Sequence, residues 1–288
     1  MSAGRFAPSP SGDLHLGNLR TAILAWLFAR ASGRSFLVRV EDLDRQRSRP
    51  EFERAQLADL AAMGLTWDPP VVRQSERDDL YAAALARLTD AGLTFECFCT
   101  RREIAEAVRA PHAAPGTYPG TCRHLTEAER AARRADRAPA IRLRAAVASW
   151  TIHDLLEGEV RGDVDDLVLR RGDGAHAYNL AVVVDDGEQG VDQVVRGLDL
   201  IDAAPAQAYL AQALGLDQPT YAHVPLALNA EGRRLAKRDG AVTLRDLTPA
   251  VAWDLIGSSL GVDARSPEQL LAELEPTKIP RNPWVVRT

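Results

Sequence analysis

The residues best suited to chemistry lie in two segments far apart in the chain. Near the start, Pro8-Ser9-Pro10-Ser11-Gly12-Asp13-Leu14-His15-Leu16-Gly17-Asn18 runs from a strand end through a constrained turn into a helix. Late in the chain, Arg233-Arg234-Leu235-Ala236-Lys237-Arg238-Asp239-Gly240 gathers four cations in a glycine-bearing loop. A helix opening out of such a turn offers free backbone N–H groups and the positive end of its dipole to an anion. Gly17 carries no Cβ, so a planar or anionic group can approach the backbone closely. His15 can donate to phosphate oxygens whose charge grows in a transition state. Lys237 is a compact point charge suited to a departing pyrophosphate. Each segment alone also reads as a surface turn or a solvated basic loop; together they point to phosphate chemistry.

A third group is Cys97, Cys99 and Cys122, the chain's three cysteines. They are too few and too close together for a disulfide framework, and such grouping points to a metal first. Cys97-Phe98-Cys99 ends a strand, where alternate side chains face opposite sides, so both thiolates reach one ion only if the chain bends there. Zinc takes four ligands. The competing reading is three unrelated small buried residues.

These groups need a scaffold, and the 288 residues suffice for one or two domains with a sizeable core. The hydrophobic fraction of 46% and charged fraction of 26% are those of a soluble globular protein. No apolar run reaches the ~20 residues of a membrane span, and Met1-Ser2-Ala3-Gly4-Arg5 lacks the pattern of a secretory signal, so a cytoplasmic location is expected. A net charge of −5 argues against coating nucleic acid by bulk positive charge, though not against a local basic patch.

Residues 16–31 have helical apolar spacing and end at Gly33, and 35–42 read as a strand buried at its centre. Helices are predicted over 50–63 and from Ser75 as N-cap to 90, with a strand at 94–98. This alternation signals a parallel sheet with crossover helices. Ligands of such sheets sit beyond the carboxyl ends of the strands, where the loop from Pro8 to His15 belongs. The rhythm breaks at the cysteines, a Pro/Gly-rich stretch, an Arg-rich helix over 126–137 and strand-like pieces over 140–169, and resumes after Gly174. The expected divisions are 1–96 and 173–232 as two halves of one α/β domain, 97–172 as an insertion, and 233–288 as the cationic loop with a short helical segment.

His15-x-Gly17-Asn18, paired with Arg234-Leu235-Ala236-Lys237-Arg238, resembles the His-Ile-Gly-His and Lys-Met-Ser-Lys-Ser signatures of class I aminoacyl-tRNA synthetases. The stretches from Arg5 to Gly12, Arg39 to Asp44, Tyr178 to Asp186, Val194 to Gly197 and His223 to Leu226 resemble glutamyl-tRNA synthetases, in that family's order. Arg234 stands where the family usually has lysine, and Ala236 where it usually has serine. Arginine keeps the charge but not lysine's donor geometry. The family's large helical anticodon-binding region has no counterpart in the short stretch after Lys237, so the chain resembles the truncated branch, the glutamyl-Q tRNA(Asp) synthetases.

The resemblance implies a Rossmann-like α/β catalytic domain with an inserted zinc-bearing α+β subdomain and no anticodon-binding domain. It implies that ATP, with Mg2+, is bound by Pro8, Gly17, Asn18, Arg234 and Lys237, with His15 and Lys237 catalytic. L-glutamate would be held by Arg5, Ala7, Ser9, Glu41, Tyr178 and Arg196. Tyr118 becomes the fourth zinc ligand through Tyr118-Pro119-Gly120-Thr121-Cys122, with His112 and His124 as competitors, and the zinc is structural. The partner is the anticodon stem-loop of tRNA(Asp), which receives glutamate on queuosine, and the enzyme is expected to be a monomer. Arginines 123, 130, 133, 134, 137, 142 and 144 of the insertion are candidates to touch RNA; the alternative is a solvated helix balanced by Glu127 and Glu129. Two other functions stand beside this one: a minimal glutamyl-tRNA synthetase charging the 3′ end, and a non-catalytic RNA-binding paralogue.

Overall fold

The structure, a computed structural model, describes residues 2–108, 118–235 and 242–286. Its first part comprises β1 (Ala3–Phe6), α1 (Leu16–Ala31), β2 (Ser35–Val40), α2 (Pro50–Ala62), β3 (Val72–Arg73) and α3 (Asp78–Asp90). The middle holds β4 (Thr94–Cys97), α4 (Arg101–Val108), α5 (Glu127–Asp136), β5 (Ala140–Leu143), β6 (Ser149–Asp154), β7 (Gly158–Asp163) and β8 (Val168–Arg170). Then come α6 (Tyr178–Glu188), β9 (Val191–Gly197), α7 (Ala204–Ala213), β10 (Thr220–Val224), β11 (Ala227–Leu228), α8 (Pro249–Leu260), α9 (Pro267–Glu273) and β12 (Trp284–Val285).

The main sheet has seven strands in the order β3-β2-β1-β9-β10-β6-β7, parallel throughout except for β7. From β1 the chain crosses through α1 to β2 on one side, while β9 flanks β1 on the other. That reversal of strand order opens a crevice at the carboxyl ends of β1 and β9, where such folds bind ligands. Helix α1 is buried on nearly all sides, as a central helix covered by both sheet and helices must be. It sits directly on β1: a Cβ at Gly4 would come within 2.9 Å of Ala29 Cβ. It stops at Ser32, where Gly33 takes a φ of 71° that costs other residues strain. Trp253, Ile256 and Leu260 of α8 and Leu270 of α9 join α1 in one core, so the C-terminal helices belong to the main body.

Two details differ from the sequence reading. The hairpin β6–β7 falls inside the stretch 97–172, yet it extends the main sheet through β10; the smaller sheet is β4-β5-β8 alone. Strand patterning registers which face of a strand is apolar but not which neighbour it pairs with, so the boundary in space is not the boundary in sequence. Ser75 is also not the cap of α3. Its backbone N–H and hydroxyl bind Asp42 at 2.8 and 2.6 Å, a 3-10 turn covers Gln74–Glu76, and α3 starts at Asp78. Among the described residues no helix is long and apolar enough to cross a membrane.

Gly4→Val should lower stability by about 1–3 kcal/mol, because β1 and α1 have no room to part. Thermal unfolding measures it, with an exposed substitution on α5 as the control.

Candidate active site

A cleft of about 1100 Å³ opens at the carboxyl ends of β1 and β9. Arg5, Ala7 and Ser9 reach it from β1 and the turn that follows, Glu41 from the end of β2, Tyr178 from the start of α6, and Arg196 from β9. Pro8, His15, Gly17, Asn18 and Arg234 line the same cleft. Residues scattered from position 5 to 234 thus share one cavity. Ala236 and Lys237, and with them the second half of the cationic loop, lie outside the described residues, as does His112.

The floor on the β1–β2 side is a buried ion cluster. Asp186 of α6 takes a bidentate contact from Arg5, at 3.1 Å from Nε and 3.2 Å from Nη2. Arg39 Nη1 donates to the same carboxylate at 2.8 Å and to Gln189 at 2.9 Å, while its Nη2 donates to Glu41 at 3.4 Å. Burial alone would push the Asp186 carboxyl up, but Arg5 and Arg39 outweigh it and hold the group below the ordinary carboxylate range. Glu41 behaves oppositely: burial pushes its carboxyl up, and Arg39 and Arg5 offset only part of that. Neighbouring Asp185 is bound by Gln74 at 2.8 Å, Arg77 at 2.6 Å and the Tyr81 hydroxyl at 3.0 Å, which joins α6 to α3. The doublet Asp185-Asp186 at the end of an apolar run was visible in the sequence as two charges with nowhere wet to go; its partners were not.

Arg196, on the other flank, is held by neutral acceptors. Its Nε donates to His223 Nε2 at 3.0 Å, Nη1 to Gln207 Oε1 at 2.7 Å and Nη2 to the Leu200 carbonyl at 3.2 Å. Sequence reasoning offered Arg39 or Arg45 as a salt-bridge partner for Glu41, and Arg39 takes that place; it gave no role to Gln207, and none to Asp186 or His223 beyond their lying in stretches that resemble the family.

At the mouth of α1, His15 is the N-cap. Its Nδ1 accepts from Asn18 N at 3.2 Å, and its own N–H donates to Asn18 Oδ1 at 3.2 Å. With Nδ1 accepting, the ring proton sits on Nε2, the nitrogen able to donate to a phosphate oxygen. The expected row of free N–H groups is reduced here, because Leu16 N–H goes to the Val242 carbonyl at 3.0 Å and Asn18 N–H to His15. Gly17 is a close-approach glycine: a Cβ there would lie 2.9 Å from Ala227 Cβ and 3.1 Å from the His15 ring. Arg234 forms an ion pair with Asp199, just past β9, so this departure from lysine ties the start of the cationic loop to the cleft wall.

The three cysteine sulfurs lie within 4.8 Å of one another. Cys99 Sγ is 3.6 Å from Cys122 Sγ, and Tyr118 Oη is 3.4 Å from Cys97 Sγ and 3.9 Å from Cys99 Sγ. Sulfur ligands at ~2.3 Å around a tetrahedral zinc stand about 3.8 Å apart, so the donor set fits that ion. The chain leaves β4 at Cys97, and this bend lets both thiolates of the pair face one point. His124 is not among the grouped donors.

The insertion arginines are largely engaged within the protein. Arg123 pairs with Asp166, Arg142 lies 3.9 Å over the Tyr118 ring and donates to the Asp166 carbonyl at 2.7 Å, and Arg144 lies over Phe95. Arg130 and Arg134 pair with Glu127, and Arg134 also with Glu96. Arg123, Arg142 and Arg144 brace the cysteine–tyrosine cluster instead of forming an exposed basic face.

The family model described as tRNA synthetases class I (E and Q), catalytic domain, matches residues 3–254. A glutamate tRNA ligase from Elizabethkingia meningosepticum, solved with its amino acid, superposes with a TM-score of 0.83 at 26% identity, over 98% of this chain and 66% of that one. A glutamate-tRNA synthetase from Elizabethkingia anophelis gives 0.85 at 25% identity, over 100% and 68%. The chain therefore spans about two thirds of these ligases, and fold and site together define a class I synthetase catalytic domain. A protein of Nocardia farcinica named glutamyl-Q tRNA(Asp) synthetase is 62% identical over 99% of this chain and 93% of its own length. One of the same name from Cutibacterium acnes is 54% identical over 94% and 79%. The chain belongs to the glutamyl-Q tRNA(Asp) synthetase family.

Burial raises the pKa of the Glu41 carboxyl, and an ammonium group placed beside it would need the carboxylate form. L-glutamate affinity should therefore fall as pH drops through the Glu41 pKa, and binding should release protons. Calorimetric titration in buffers of different ionisation enthalpy measures both, and Glu41→Gln should abolish the proton release.

Proposed function

We propose that the protein activates L-glutamate with ATP and transfers the glutamyl group to the queuosine base in the anticodon of tRNA(Asp). One observation carries the reading most: the His15 turn and the polar groups suited to an amino acid share a single cleft at the strand-order reversal, in a chain 62% identical to a glutamyl-Q tRNA(Asp) synthetase. The α-carboxylate of glutamate is its own nucleophile. It attacks the α-phosphorus of ATP; the new carboxylate–phosphorus bond forms as the bond to pyrophosphate breaks, giving glutamyl-adenylate. No activated serine or cysteine is required, so catalysis is positioning plus electrostatic stabilisation.

The residues divide the work. His15 Nε2 donates to the phosphate chain, Gly17 admits it to the helix mouth, and Pro8 and Asn18 shape that turn. Arg234, and Lys237 beyond it, carry charge to the leaving pyrophosphate. Glu41 accepts from the α-ammonium, Arg5 and Arg196 bind carboxylate, Tyr178 forms a wall, and Ala7 and Ser9 line the floor. Class I synthetases use ATP with Mg2+, which neutralises phosphate charge when bound. In the second step a hydroxyl of the queuosine cyclopentene ring attacks the activated carbonyl and AMP leaves. ATP, L-glutamate and tRNA are cytoplasmic in kind, so we place the enzyme in the cytoplasm, acting there as a monomer.

Cys97, Cys99, Tyr118 and Cys122 would hold a structural zinc that fastens the end of β4 to the segment before α5. Protein purified without chelator should carry about one zinc per chain. Stripping the metal should lower the thermal midpoint, and absence of stoichiometric zinc rejects the site.

Glutamate-dependent ATP–pyrophosphate exchange without tRNA should be active, and labelled glutamate should map to the anticodon. Label on the 3′ end would establish the minimal glutamyl-tRNA synthetase instead, and absence of exchange would mean a non-catalytic paralogue.

A further inference from the structure

Arg196 is the cleft arginine whose fixed partners are all uncharged, and a fully buried histidine decides that. Arg196, His223 and Asp154 come from β9, β10 and β6, three adjacent strands, and Arg196 and His223 are register partners. Asp154 Oδ2 accepts from the His223 backbone N–H at 3.0 Å and from its Nδ1 at 2.6 Å. Asp154 Oδ1 accepts from Leu156 N at 2.8 Å and Glu157 N at 3.0 Å. Four donors leave this carboxylate no freedom to rotate. The proton of His223 is therefore on Nδ1, and Nε2 keeps a lone pair for the Nε–H of Arg196.

On the opposite edge of the guanidinium, Gln207 Nε2 donates to Asn179 Oδ1 at 3.0 Å, which turns the amide oxygen toward Arg196. Three of five N–H groups are thus taken, and one remains on each terminal nitrogen for a carboxylate. A carboxylate in place of the imidazole would cancel the charge that binds substrate. An imidazolium would have no lone pair to offer. Burial, and then Arg196, push the imidazole pKa below its ordinary value against the pull of Asp154, so the ring stays neutral. The ring is further packed against Tyr221, stacked at 5.8 Å between centroids.

We propose that His223, oriented by Asp154, is a positioning residue for glutamate binding that fixes the Arg196 guanidinium while leaving its charge uncancelled. Gln207 does the same from the other side. The proposal rests on the glutamate-activating reading above and adds residues that do not themselves line the cleft with Arg196.

The test is glutamate-dependent ATP–pyrophosphate exchange on the full chain. His223→Phe keeps a ring but removes the acceptor, and should raise the glutamate KM about ten- to a hundredfold, the size of a lost hydrogen bond to a charged group. The ATP KM should be unchanged, and kcat at saturating glutamate should fall far less than KM rises. His223→Gln places an amide oxygen near the Nε2 position and should recover most of the loss. Should His223→Phe fail to fold by circular dichroism, Gln207→Leu, on α7, should show the same selective rise. An unchanged glutamate KM in a folded variant, an equal rise for ATP, or no recovery in His223→Gln overturns the proposal. Absence of exchange in the unsubstituted protein would instead overturn the functional reading.

Discussion

The carboxylate of Asp186 clamped between Arg5 and Arg39 is the constraint on which the cleft depends. Arg39 is 0% exposed, and a guanidinium so far from water is tolerable only with its charge met, here by Asp186, Glu41 and, 3.6 Å from Nε, Asp185. Meeting that requirement brings β1, β2 and α6 to one point. Asp185, one residue earlier, turns to Gln74, Arg77 and Tyr81 and so fixes α6 against α3. A helix pinned near its C-terminal end by two adjacent carboxylates has its N-terminal end placed as well, and that end is Tyr178 at the cleft.

Arg5 and Arg196, on either flank of the cleft, are held in opposite ways, and this shapes the electrostatics of the cavity. Arg5 shares a carboxylate with Arg39, whereas Arg196 leans on an imidazole, an amide and a carbonyl. Charge is therefore balanced by a carboxylate around Arg39, where it holds strands together, and left without one at Arg196. Glu41, its pKa raised by burial, is the complementary feature, a carboxyl set back from water at the end of β2.

The small sheet β4-β5-β8 packs on two sides: Leu143 and Leu169 join the core of α3 and α6, and Phe95 and Cys97 join Phe98, Tyr118 and Cys122 in a smaller cluster. Arginine over the Tyr118 and Phe95 rings serves that packing, which is why so many basic residues here face inward or toward acids. The hairpin β6–β7 ties the insertion to the main body by pairing with β10, and Asp154 at the end of β6 extends that tie to His223.

By itself the sequence determined the element types and the parts with local signatures. Residues 16–31 had to be a buried helix, because their apolar positions recur on every side and a glycine follows where the chain turns left-handed. The turn from Pro8 to Asn18, the cationic loop and the cysteine pair could be read because their meaning lies in spacing along the chain. What only the tertiary structure decided was partnership between distant residues. Arg5 faces both Asp186 and the cleft, and nothing in its neighbours along the chain named Asp186; the parallel register of β1 against β2, with α6 laid across them, made that pair. The pairing of β6 with β10 likewise lay beyond the sequence, since a strand carries the same apolar pattern whichever edge it joins. His223 acquires a role only because three strands set Asp154 and Arg196 on either side of it, a juxtaposition made by sheet order and not by any motif.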